Sequence, residues 1–159
     1  FNNSDYDEAI KYYTRATDID ENHAFALNDK GSAYRMKRDL AEAIKYYKKA
    51  AEINKNVDIF YANLGSAYRL NKDYSKAIEA YDEALKINAD NYMTINNKGI
   101  AYFEMKKYDK ALECFNACLK QNSEYAYAYN NVGLVHYKQE EYDLAIIQYR
   151  LRTLCADVK

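Results

Sequence analysis

The chain has 159 residues, 49% of them apolar, and 23 Lys plus Arg balance 24 Asp plus Glu to a net charge of −1. That balance gives no basic excess for nucleic acid, no apolar run nears the roughly 18 residues of a membrane span, and no segment has a disordered composition. Phe1 stands where Met is usual and no signal-peptide pattern follows it, so the chain is expected to be a fragment of a longer protein.

In chain order, apolar periodicity predicts a lone helix at about 6–19, then helix pairs at about 24–37 and 40–53, 58–71 and 74–87, 92–105 and 108–121, and 126–139 and 142–155. Short polar turns such as Lys72-Asp73 and Lys106-Lys107 join the members of a pair. The first helices carry Gly31, Gly65, Gly99 and Gly133, the only four glycines, each 34 residues from the next. One fixed period for every glycine makes the chain a tandem array. Its units are 24–57, 58–91, 92–125 and 126–159, preceded by a partial unit at 1–23 that supplies only a second helix. The whole is expected to form a single array over 1–159.

The second helices repeat Ala9, Ala43, Ala77, Ala111 and Ala145, and four residues later an aromatic: Tyr13, Tyr47, Tyr81, Phe115 and Tyr149. Three later stand Ala16, Ala50, Ala84, Cys118 and Arg152. The spacing i, i+4, i+7 is one face of an α-helix. A glycine inside a helix costs roughly 1 kcal/mol against alanine, so close helix contact is the expected compensation. Asp20, Asn54, Asn88 and Asn122 end the second helices and are expected to take the left-handed conformation there.

These residues resemble the tetratricopeptide-repeat family over the full chain. The segment from Tyr61 through Leu64-Gly65, Tyr68, Ala77 and Tyr81 to Ala84 matches its 34-residue unit nearly throughout. The family's common tryptophan is Leu27, Tyr61, Ile95 or Tyr129 here, and its proline near the unit's end is absent. The resemblance implies an all-α solenoid, a right-handed superhelix whose first helices line a concave groove.

Three cysteines, Cys114, Cys118 and Cys155, at helical positions are what an intracellular, cytoplasmic protein is expected to keep reduced. His23 and His136 are remote from them in sequence, so neither a metal nor a cofactor is expected. No phosphate loop, G-x-S-x-G or H-E-x-x-H motif is present, and the chain reads as non-catalytic.

If the first helices face inward, a ladder of amides runs along the groove: Asn63, Asn97 and Asn131, beside Asn28, Asn96 and Asn130. A side-chain amide both donates and accepts, so the ladder suits a peptide backbone. It looks like the ladder in O-linked N-acetylglucosamine transferases. The competing reading is helix packing alone. Arg35 and Arg69 near the first-helix ends suit a carboxylate or simply a solvated rim. Phe25, Ile59, Met93 and Tyr127 repeat at one inward-leaning position and form an apolar strip.

The positions at which chaperone adaptors of this family hold an acidic C-terminal tail are Phe25, Ile59, Met93, Asp29, Asn63 and Asn97 here, none of them basic. Binding to such tails is therefore not expected. The leading reading is a scaffold that holds a peptide segment of a partner protein. The alternative is the substrate-recruiting arm of an enzyme whose catalytic domain lies elsewhere. Self-association through the array ends is a further possibility, while nucleic acid and membrane are not expected partners.

Overall fold

The computed structural model describes residues 3–156; the outermost bounds of the expected array, 1–2 and 157–159, lie outside the described residues. These residues form helices α1 (Asn3–Ile19), α2 (Ala24–Met36), α3 (Leu40–Ile53), α4 (Asp58–Leu70), α5 (Tyr74–Ile87), α6 (Tyr92–Glu104), α7 (Tyr108–Gln121), α8 (Ala126–Lys138) and α9 (Tyr142–Ala156). The chain divides into two compact units, Phe1–Ala89 and Asp90–Lys159. In the first unit α2/α3 and α4/α5 form hairpins, α1 packs on α2, and α3 packs on α4. In the second, α6/α7 and α8/α9 are hairpins and α7 packs on α8.

Each hairpin rests on a glycine. A Cβ on Gly31, Gly65, Gly99 or Gly133 would lie 2.9, 2.6, 2.6 or 2.7 Å from a ring carbon of Tyr47, Tyr81, Phe115 or Tyr149. Helix propensity is thus given up to seat an aromatic of the second helix against the bare backbone of the first. Tyr47, Tyr81 and Phe115 are buried as a result, among Ala43, Ala77 and Ala111. Removing an aromatic of that size from water contributes roughly 1.5–3 kcal/mol.

In three of the four hairpins the hydroxyl follows the neighbouring residue, while the fourth pairs Tyr149 with Leu134. Tyr47 donates to Ser32 Oγ (3.0 Å) and Tyr81 shares a 3.2 Å hydrogen bond with Ser66. Where Ile100 takes the serine's place, the aromatic is Phe115 and has no hydroxyl to satisfy. Between repeats, Ala24, Leu27, Ala50, Ala51 and Phe60 form one core cluster, and Ala111, Phe115, Val132 and Val135 another.

The left-handed residues are not where the sequence placed them. Asn54 (φ −132°), Asn88 (φ −135°) and Asn122 (φ −143°) are extended. Asp20, Asn54 and Asn122 instead cap the following turn, each accepting the backbone N–H two residues on at 3.0–3.1 Å. Positive φ occurs at Arg38 (64°), Lys72 (66°), Lys106 (60°) and Glu140 (64°), inside the hairpins. Each is followed by a residue whose N–H reaches back five residues: Asp39 to Tyr34, Asp73 to Tyr68, Lys107 to Tyr102 and Glu141 to His136, at 2.9–3.0 Å. This closing bond satisfies a carbonyl that the helix end would leave open. Asp39 then caps α3 by accepting from the Glu42 N–H.

Candidate functional site

Within each unit the first helices place the same residue types side by side. In the first unit, Asn63 on α4 donates to Asn28 Oδ1 on α2 at 2.9 Å, and Asn28 donates to Asp29 at 3.1 Å. In the second, Asn131 on α8 donates to Asn96 Oδ1 on α6 at 2.9 Å. The two sets of asparagines therefore meet 35 residues apart, one repeat plus one residue. Asn28 and Asn96 are buried, while Asn63, Asn97 and Asn131 are half-buried. Asn130 accepts from Arg152 at 3.3 Å.

The apolar strip stands in solvent. Phe25 and Ile59 in the first unit, and Met93 and Tyr127 in the second, are between 43% and 71% exposed. Phe25 is propped edge-on against Phe60 (5.1 Å) and Tyr127 leans on Tyr125 (5.5 Å), so part of each side chain is fixed before anything binds. Arg35 donates to the Tyr47 hydroxyl at 3.3 Å, which ties it to the hairpin core, and Arg69 is half-buried on α4. His136 lies 2.6 Å from Glu141 across the last turn.

Sequence reasoning missed one set of contacts. Lysine ammonium groups stand over the tyrosines of the first helices: Lys48 and Lys76 over Tyr68 (6.0 and 5.7 Å), Lys98 and Lys110 over Tyr102 (6.0 and 5.7 Å). Lys30 is buried over Tyr46, itself stacked on Tyr34. Such pairs hold cations on ring faces. The i, i+4 spacing of Lys98 and Tyr102 was the signal available for this. Burial raises the Tyr34 ionisation, with further contributions from Tyr46 and Glu42. Burial also pushes the Cys118 thiol up to about 11, which keeps it a protonated packing group. Among the described residues no group of three His, Cys, Asp or Glu side chains is placed to hold a metal ion. None of the described helices is long and apolar enough to cross a membrane.

Tetratricopeptide-repeat models match residues 1–56, 59–91 and 93–125, and the chain belongs to that family. No curated protein matches it. Among solved structures, it is similar to MamA, with 24% identity over 97% of this chain and 90% of that one and a TM-score of 0.86. PilF of Pseudomonas aeruginosa matches at 22% identity over 96% of this chain and 69% of that one, with a TM-score of 0.85. YrrB, described as a TPR protein with an unusual peptide-binding site, matches at 20% identity over 96% and 78%, with a TM-score of 0.75. At these identities the likeness is one of fold: an all-α helical-repeat solenoid.

Proposed function

We propose that this tetratricopeptide-repeat chain is a non-catalytic scaffold that holds a peptide segment of a partner protein on the face of its first helices. The exposed pairs Phe25 and Ile59 in the first unit and Met93 and Tyr127 in the second carry the reading. Large apolar side chains recur at one repeat position largely in water, outside the hairpin cores. Phe25 and Tyr127 are braced by neighbouring rings, which lowers the entropy that binding must overcome. The amides beside them supply backbone-type hydrogen bonding. YrrB, which shares the fold, is described as binding peptide; that description supports the class of ligand and not its sequence.

The test is peptide selection from a displayed library, followed by calorimetry on the selected peptides. Ile59→Asp and Met93→Asp are each expected to weaken binding roughly tenfold or more with unchanged helical circular dichroism. Asn63→Ala/Asn97→Ala/Asn131→Ala is expected to weaken it less. A chaperone-type acidic tail peptide is expected not to bind, since Phe25, Ile59, Met93, Asp29, Asn63 and Asn97 offer it no cation. Selected peptides that bind both aspartate variants undiminished would move the site off this face.

A further inference from the structure

The outward face of α9 differs from that of every other second helix. At its four solvent-facing repeat positions α1 carries Glu8, Lys11, Arg15 and Asp18, and α3 carries Glu42, Lys45, Lys49 and Glu52. In α5 they are Lys76, Glu79, Glu83 and Lys86, and in α7 they are Lys110, Glu113, Ala117 and Lys120. Only Ala117 is uncharged. In α9 the same positions are Leu144, Ile147, Leu151 and Leu154, between 36% and 64% exposed. Their 3-4-3 spacing is the a/d seam of a coiled coil.

The stripe is not the face that stacks repeats. In α3 that face is Ala50 and Ala51, packed with Phe60 of the following first helix. The equivalent residues of α9 are Arg152 and Thr153. α9 is thus polar where α3 carries its stacking alanines and apolar where the other second helices are charged, Ala117 apart.

We infer that α9 pairs with α9 of a second copy of the chain, parallel and in register along Leu144, Ile147, Leu151 and Leu154. The four stripe residues present roughly 300–400 Å² of apolar surface, the size of a large patch on a typical monomer. That suits the apolar centre of a standard interface of about 800 Å² per partner, and a two-fold contact uses the whole patch on both sides. Two heptads are too few for free peptides, but α9 is already a helix on a folded support, so its nucleation cost is met before association. Charge selects the direction. In the parallel pair Asp143 lies beside Gln148 of the other copy and Arg150 beside Cys155, so no like charges meet. The antiparallel pair with the stripe in full contact sets Arg150 against Arg150. This inference uses none of the first-helix face and stands independently of the peptide site.

Sedimentation of the 159-residue chain is expected to show a monomer–dimer equilibrium. Ile147→Lys and Leu151→Glu are each expected to raise its dissociation constant roughly tenfold or more, with circular dichroism unchanged. Ile146→Lys, exposed beside the stripe but outside its a/d spacing, is expected to do less. Leu144→Cys is expected to form an intermolecular disulfide on oxidation, and to lose it when Ile147→Lys is added. A chain monomeric at the highest concentration it tolerates overturns the inference. So does a dimer that survives Ile147→Lys, a dimer lost only with Ile146→Lys, or a monomer whose stripe takes a different amphipathic helix. A dimer that Leu144→Cys fails to cross-link overturns the parallel direction.

Discussion

Gly65→Ala sets two effects against each other, and the geometry decides between them. Alanine in a helix interior gains roughly 1 kcal/mol over glycine. Its Cβ, however, would sit 2.6 and 2.7 Å from Tyr81 Cε1 and Cδ1 and 3.1 Å from the Ala77 carbonyl oxygen. Carbon contacts are favourable near 3.5–4.0 Å, so the ring must retreat by about 1 Å. Tyr81 is fully buried and its hydroxyl is held by Ser66 at 3.2 Å, which leaves the ring no free direction. Overpacking of this kind costs roughly 1–3 kcal/mol. Subtracting the propensity gain, Gly65→Ala is expected to destabilise the protein by about 1 kcal/mol, read as a lower urea midpoint at unchanged m-value. The sharper form is a cycle with Tyr81→Leu, which removes the ring. In that background the alanine should be neutral or stabilising, giving a coupling of roughly 1–3 kcal/mol. A higher midpoint for Gly65→Ala in the otherwise unchanged chain would refute the close-approach account of the glycine period.

At Lys72 the opposite substitution should help: with φ at 66°, Lys72→Gly is expected to stabilise by about 0.5–1 kcal/mol in the same urea assay, since a side chain in the left-handed region costs roughly 1–2 kcal/mol and glycine's greater freedom when unfolded returns part of that. The Cys118 thiol, raised from 9.0 to about 11 by burial, keeps its proton in the folded chain after the unfolded chain has lost it. Its stabilisation is therefore complete below pH 9 and lost as pH rises through 11, a slope that Cys118→Ala, matching Ala50 and Ala84, should reduce in alkaline denaturation.

The helices were legible because the repeat supplies several copies of each boundary. Tyr74, Tyr108 and Tyr142 mark second-helix starts and the structure agrees at each. The start of α1 was placed at Tyr6 by that register, whereas the helix begins at Asn3. The left-handed sites were misplaced for an instructive reason. Asparagine tolerates that conformation, but tolerance does not require it. Long charged residues adopt it at Arg38, Lys72, Lys106 and Glu140 because the closing bond fixes the backbone there. The α9 stripe was in the sequence throughout. Reading modulo 34 for what recurs hides a position that matters because it fails to recur.

The amide pairs bear on how the first-helix face would take a peptide. Packing and ligand binding look like rivals for Asn63 and Asn131, but the hydrogen-bond capacity allows both. A primary amide has two N–H donors and an oxygen with two lone pairs. The contact to Asn28 or Asn96 uses one donor. One N–H and the oxygen remain, which is the complement a peptide unit needs. The buried partner also fixes the direction of the half-buried amide, so less rotational freedom is lost when a peptide arrives. Substituting Asn28 rather than Asn63 separates the two contributions. If the clasp only joins helices, Asn28→Ala lowers the urea midpoint and leaves peptide affinity alone. If it also aims Asn63, affinity falls along with stability although Asn28 itself is buried away from the ligand.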